Sequence, residues 1–330
     1  MKLYSWPLWM ALIVAITSCG ESKSKGNGVC EKNADFPKVV SVPDSAVELD
    51  AIIRIDEWNV GDSALVCLSE HTDKLFYRFD LDNFQIIDSF GVEGQGPGEF
   101  LSPDLVKSAH KRTILADSQN RNFIEIKGNE QSEIKCPDMW MLFNQLCDVN
   151  YPIVCMYELG RDSEMNEVLK WNTMDVTTGE KIDSIYFNRY DEAYPDVRMY
   201  LSTSTNGKYI VFITIPKDEF QIAEVSSDGK IIGRTIYKGT QETSNERPYY
   251  VDVVCGKDYI YLLSAKNAQF SKDDISGHCE VEIYDYDGNP IALLQLDIIS
   301  LKMTLDEDRG RLLLTSPLDE DIHIVQLPEL

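Results

Sequence analysis

From residue 37 onward the apolar residues of this chain come in short runs rather than at helical spacing, and that property removes most folds from consideration. Residues 208–215 (KYIVFITI), 258–263 (DYIYLL), 279–284 (CEVEIY) and 311–315 (RLLLT) are rich in β-branched, aromatic and leucine side chains. Such runs fit a pleated, buried surface, and no stretch of period 3.6 is long enough for an amphipathic helix. Between the runs stand Asn206-Gly207, Asp228-Gly229, Asp287-Gly288 and Arg309-Gly310, with Thr178-Gly179 a weaker case, all pairs that tolerate the positive φ of a tight turn. Many short strands with recurring turns predict an all-β repeat fold. Aligned by turn type they form six units, at 51–90, 105–137, 141–187, 199–237, 250–297 and 298–326. Spread over residues 36–330 this is about 49 residues per unit, inside the roughly 40–50 of propeller repeats. The last unit is one strand short of four. Lys38-Val39-Val40-Ser41-Val42 has strand composition and is assigned as the N-terminal strand that completes the last blade and closes a six-bladed β-propeller.

The first crossing between units is the most distinctive local pattern. In Phe90-Gly91-Val92-Glu93-Gly94-Gln95-Gly96-Pro97-Gly98-Glu99-Phe100 four glycines fall in eight positions, and Pro103 and then Asp117-Ser118-Gln119-Asn120 follow. Glycine permits positive φ and close backbone approach, Pro97 fixes one φ, and Phe90 and Phe100 are apolar anchors. A phosphate loop needs Gly-Lys-Ser/Thr opening a helix, which Pro97 and Pro103 do not allow. The residues Gly91, Gly94, Gly96, Pro97, Gly98, Phe100, Asp117 and Asn120 resemble the repeat junction of NHL-type propellers, and the chain as a whole resembles the NHL/TolB-like propeller superfamily. Asn122 stands where that junction usually has arginine. The resemblance implies that Asp117 and Asn120 bond backbone at a blade turn.

The N-terminus reads as a separate segment. Lys2 and the apolar residues 8–16 form a secretory signal, too short to span a bilayer. Its end, Ile16-Thr17-Ser18-Cys19, resembles the bacterial lipobox, which implies removal of residues 1–18, lipidation of Cys19 and stable anchoring by more than one acyl chain. Residues 19–35 then form a lipidated cysteine and a flexible tether, and 36–330 the propeller. Gly20 lacks the aspartate associated with inner-membrane retention, so by resemblance the protein is a lipid-anchored component of the cell envelope at the outer membrane.

The chemistry the residues exclude is as informative. With 31 basic and 55 acidic residues the net charge is −24, a field that repels nucleic acid. Once Cys19 is lipidated seven of the eight cysteines remain, an odd number. Cys67, Cys147, Cys155 and Cys255 read as small buried hydrophobes, and Cys136 with Cys147 remains a candidate bridge. His71, His110, His278 and His323 show no metal-binding spacing and no nucleophile elbow occurs, so no metal and no cofactor are expected. Asp80 and Asp82, Asp285 and Asp287, and Asp306 and Asp308 flank turns, where side-chain-to-backbone bonds explain them.

The longer crossings carry aromatic and arginine residues: Trp140; Arg189, Tyr190, Tyr194 and Arg198; Arg247, Tyr249 and Tyr250. Loops on a rigid scaffold and side chains of these types are where binding concentrates, while the same aromatics also serve as fillers between blades. These eight residues are the ligand-binding candidates. The expected function is a binding or scaffold module for an envelope protein, peptide or glycan. The alternative is a lactonase-like hydrolase or lyase, with a metal held in the central channel by carboxylates and amides from several blades.

Overall fold

The computed structural model of the protein describes residues 28–49, 53–96, 98–108, 110–127, 130–137, 146–161, 167–188, 200–241, 247–271 and 274–330. Six sheets, each built on four antiparallel strands and two of them extended by a fifth, parallel strand, form the blades of a propeller. Blade one contains Glu57–Val60, Ala64–Leu68, Phe76–Asp80 and Ile86–Phe90, and blade two Pro103–Val106, Thr113–Asp117, Asn122–Lys127 and Glu130–Lys135. Blade three runs from Cys147–Asn150 to Glu180–Asn188, blade four from Tyr200–Thr205 to Ile231–Lys238, and blade five from Tyr250–Cys255 to Pro290–Leu296. Blade six consists of Lys302–Asp306, Arg311–Thr315, Ile322–Gln326 and a strand from the N-terminal side. The only helical element among the described residues is the 3₁₀ turn Glu307–Arg309.

The second strand of each blade explains why the chain builds a ring. It is apolar on both faces, and its alternate residues enter two different cores. In blade one Leu65 and Cys67 pack toward blade six, while Val66 and Leu68 pack toward blade two. In blade four Ile210 and Phe212 join Trp171 of blade three, and Val211 and Ile213 join Tyr250 and Ile260 of blade five. Blade five repeats the division: Ile260 and Leu262 face blade four, Tyr261 and Leu263 face Met303 and Leu312 of blade six. Each fully buried side chain of this size contributes about 1.5–3 kcal/mol.

The turn glycines lie where the sequence places them, Gly207 at φ 87° and Gly229 at φ 84° among them. In the first crossing Gly91 has φ 73°, and a Cβ there would stand 2.9 Å from the Phe76 ring. That ring stacks on Phe90 at 5.4 Å and meets Phe100 edge-on at 5.0 Å, so the crossing is stapled to blade one by three phenylalanines.

Ring closure occurs on the N-terminal side as expected, but a different strand performs it. Asp44–Val47 pairs antiparallel with Ile322–Gln326, with Asp44 opposite Val325 and Val47 opposite Ile322. Val39–Val42, the strand the sequence assigns to closure, instead runs parallel to Pro290–Leu296 as a fifth strand of blade five. Of the residues the sequence assigns to a flexible tether, Gly28–Glu31 runs parallel to Ile231–Lys238 as a fifth strand of blade four. Backbone pairing on an outer edge needs no apolar side chains, so these additions carry little compositional signal.

None of the seven described cysteines is in a disulfide. Cys136 belongs to the core between blades two and three and Cys147 to that between blades three and four, which separates the candidate bridge. Cys147 lies instead directly opposite Cys155 in blade three.

His323 ties the closing strand down. Its Nδ1 is 2.5 Å from Asp44 Oδ2, and its Nε2 is 3.0 Å from Asp319 Oδ1. Burial opposes charging of the ring, but the hydrogen bonds and charges of Asp44 and Asp319 outweigh it and hold the pKa above the ordinary 6.5. A folded-state pKa above the unfolded one stabilises the protein fully below about pH 6.5 and ceases to do so as pH rises through the folded value. We therefore expect the melting temperature to fall between pH 6 and pH 9, and His323→Gln to lower it by several degrees at pH 6 while flattening that dependence. Thermal scans of both proteins across this range provide the check, and parallel curves would refute the clasp.

Candidate functional site

The first strands of the six blades line the central channel, and they carry charged residues that pair across it. Asp252 is the hub. Its Oδ1 accepts from Lys107 Nζ at 3.1 Å, Ser202 Oγ at 3.0 Å and its neighbour Val253 N at 2.9 Å, while Oδ2 accepts from Met303 N at 2.8 Å. One carboxylate thus joins the inner strands of blades four, five and six to the end of that of blade two. Burial disfavours the Lys107 ammonium, but the Asp252 charge and hydrogen bond more than restore it, raising its pKa. Lys302 donates to the carbonyl of Asp56, and burial lowers its pKa despite the nearby charges of Glu57, Asp252 and Asp56. Glu57 Oε2 accepts from Leu105 N at 2.7 Å. Asp104 is buried beside Glu57, and burial together with that neighbouring carboxylate pushes its pKa well above the usual range, favouring the protonated form.

Beyond Lys107 the channel widens into a small pocket lined by Asn59, Ser108, Ser204, Cys255 and Thr304. Ser108 Oγ donates to Asp148 Oδ2 at 2.7 Å, and Ser204 Oγ accepts from Cys255 N at 3.0 Å. The space at its centre is about 50 Å³, room for a few waters. Among the described residues no three His, Cys, Asp or Glu side chains are gathered to hold a metal ion. The channel carboxylates are interleaved with the ammonium groups of Lys107 and Lys302.

A second polar centre is buried between blades four and five. Glu282, on the third strand of blade five, accepts from Tyr249 Oη at 2.8 Å and Lys266 Nζ at 3.2 Å on Oε1. Its Oε2 accepts from Tyr250 Oη at 2.6 Å, Tyr284 Oη at 3.2 Å and Lys32 Nζ at 3.4 Å. Burial alone would raise the Glu282 pKa, yet Lys32, Lys266 and the tyrosine donors hold it below the usual carboxylate range. Lys32 Nζ also donates to Tyr250 Oη at 3.1 Å, pairs with Asp218 and lies 4.0 Å and 5.0 Å from the ring centroids of Tyr249 and Tyr250.

The candidate residues distribute unevenly over this structure. Cys19, Pro97, Trp140, Arg189, Tyr190, Tyr194 and Arg198 lie outside the described residues. Arg247 is exposed, and its Nη2 donates to Gln269 Oε1 at 3.3 Å on the insertion of blade five. Tyr249 and Tyr250, 2% and 0% exposed, are not on an open ligand face but fill the seam between blades with their hydroxyls bound to Glu282. Gly94, Gly96, Gly98 and Phe100 shape the first crossing, where Gly96 N donates to Glu99 Oε2 at 2.6 Å. Asp117 accepts from Leu101 N at 2.8 Å and from Asn120 N and Nδ2 at 3.0 and 2.8 Å. Sequence reasoning missed Asp252, Lys107, Glu282 and Lys32. A signal for two of them was present: Asp252 interrupts an otherwise apolar strand and Glu282 stands between Val281 and Ile283, the mark of a charge that must find a partner inside.

Residues 57–308 match the model of the family described as TolB-like 6-blade propeller-like. In structure the chain is similar to a protein of Bacteroides fragilis described as exported, with 12% identity, 92% of this chain and 99% of that one covered, and a TM-score of 0.51. It is also similar to the WD40 domain of Toxoplasma gondii coronin (10% identity, 86% and 72% covered, TM-score 0.47) and to virginiamycin B lyase of Staphylococcus aureus (12%, 85% and 83%, TM-score 0.43). At such identities the likeness concerns the fold alone. No curated protein matches the chain in sequence.

The two kinds of channel carboxylate should respond oppositely to neutralisation. Asp252→Asn leaves Lys107 without its counter-charge and should cost about 3 kcal/mol, the usual penalty for breaking a buried pair. Asp104→Asn replaces a group already favoured in its neutral form and should cost under about 1 kcal/mol at pH 7. Urea unfolding of both variants measures the difference, and equal losses would contradict the assigned charge states.

Proposed function

Since the chain belongs to the TolB-like six-bladed propeller family, we propose that it works as a binding module of the cell envelope, held to the outer membrane by lipid on Cys19 and presenting one side of its disc to a protein, peptide or glycan. The observation that carries this reading is the contrast between the channel and the crossings. Among the described residues, Lys107, Ser202 and Asp252 in the channel bond to one another, next to a space of about 50 Å³. The crossings from the outer strand of one blade to the inner strand of the next, at 136–146, 189–199 and 239–249, begin and end on the same side of the disc by topology. They carry Trp140, Arg189, Tyr190, Tyr194, Arg198 and Arg247, the residue types enriched at binding hot spots. The exposure of Arg247 supports this, and the burial of Tyr249 and Tyr250 removes those two from the ligand face. An envelope address agrees with the lipobox resemblance and with the exported description of the Bacteroides fragilis protein. The reading invokes no cofactor, and a net charge of −24 leaves nucleic acid an unfavourable partner.

Two experiments test it. Cys19→Ala should abolish lipidation, so that the protein no longer enters the detergent phase on partitioning; a variant that still does so is anchored by something else. Against a partner captured from envelope extracts, Tyr194→Ala and Arg247→Ala should each weaken binding about thirtyfold, the effect of roughly 2 kcal/mol, with the melting temperature within a few degrees of the parent. Unchanged affinity in both would remove the crossings as the binding surface.

A further inference from the structure

The centre between blades four and five is built as a receptor, and its occupant comes from outside the ring. Asp218 sits in the turn between the second and third strands of blade four, Tyr249 and Tyr250 at the entrance to blade five, and Glu282 and Tyr284 on the third strand of blade five. The cation they surround, Lys32, follows the added strand Gly28–Glu31, which belongs to no blade core. Its side chain is 2% exposed. Two aromatic faces and two carboxylates around one desolvated ammonium are the recognition chemistry of a primary amine. Lys266 serves Glu282 and Glu280 from the other side, at 3.2 and 2.8 Å, and among the described residues Lys32 is the cation paired with Asp218 and with Glu282 Oε2.

The backbone leading to the lysine is held in the manner of a bound peptide. Gly28, Val29, Cys30 and Glu31 pair with Thr235, Ile236, Tyr237 and Lys238, and Lys32 N continues the ladder to Lys238 O at 2.8 Å. The side chains along this strand alternate between half-buried Cys30 and solvent-facing Val29 and Glu31, Val29 at 66% exposure. Main-chain pairing on a sheet edge supplies register, and one deep side chain supplies selectivity, which is the division of labour in peptide recognition by strand addition.

We propose that the seam between blades four and five is a lysine-reading site for extended peptides, and that the chain's own residues 28–32 are its resting occupant, displaced by a lysine-bearing strand of a partner protein. The site adjoins the crossing at 239–249 through Tyr249 but uses none of the side chains retained for the ligand face, and it stands or falls separately from them. Because the resident strand is tethered, it competes at millimolar effective concentration, so the partner engages only when it is itself held close, as two proteins on one membrane are.

The test uses full-chain Lys32→Ala with two probes, n-butylammonium chloride for the cage and a synthetic peptide of residues 26–35 for cage and edge together. Both should raise the melting temperature of the variant saturably and leave the wild type unmoved. 1-Pentanol and the same peptide with norleucine in place of its lysine should do neither. By fluorescence polarisation the lysine peptide should bind the variant at least about tenfold more tightly than it binds the wild type. Equal binding to both proteins, equal binding of the norleucine peptide, or a response to butylammonium without one to the peptide would each overturn the proposal. Should Lys32→Ala fail to fold, Lys32→Met retains the stem that packs on the rings and is judged by the same peptide comparison.

Discussion

The structure depends on strands that are apolar on both faces. A strand such as Ala64–Leu68, buried along its whole length, cannot be satisfied by one neighbouring sheet, since alternate side chains point in opposite directions. Each blade must therefore be covered on two sides, and a set of such sheets has no end until the last meets the first. The six core clusters reflect this, each lying in the seam between two consecutive blades. The closed ring is the arrangement in which every one of these faces is buried and only short outer edges remain.

Closure and edge protection are delegated to one N-terminal segment. It adds Gly28–Glu31 to blade four and Val39–Val42 to blade five, then supplies Asp44–Val47 as the outer strand of blade six. Two outer edges that would otherwise expose unpaired backbone groups are covered, and the final blade is completed by the same chain. The segment is fastened at points by polar and aromatic contacts rather than by a continuous apolar face: Lys32 in the tyrosine cage, Phe36 edge-on to Tyr284 at 5.3 Å, and Asp44 on His323. Such a strap can be specific in register without being deeply buried.

The interior charges follow a common logic. A carboxylate placed inside is surrounded by donors until the charged form survives burial, as Glu282 is by three tyrosines and two lysines. Where the neighbour is another carboxylate, as for Asp104 beside Glu57, the proton is retained instead. Asp252 shows the structural value of such a group, since its four hydrogen-bond donors come from Lys107, Ser202, Val253 and Met303. It ties the inner strands of blades four, five and six to one another and to the end of that of blade two.

The sequence alone determined the all-β class, the six units and the turns, because those properties are local: runs of β-formers set the strands, and glycines such as Gly207 and Gly229 mark where φ must be positive. It also determined that closure is made on the N-terminal side, since the last unit was one strand short. Which strand closes the ring was decided only by tertiary structure. Asp-Ser-Ala-Val at 44–47 carries almost no hydrophobic signal, whereas the more strand-like Val39–Val42 pairs on blade five, so composition pointed to the wrong neighbour. The site residues divide in the same way. Aromatics at the blade crossings were visible as a pattern, but whether Tyr249 faces solvent or Glu282 depends on a carboxylate 33 positions away. Lys32 meets Glu282 across 250 positions. A lysine in a polar, glycine-bearing stretch reads as a solvated charge, and only the folded ring supplies the rings and carboxylates that make its burial favourable.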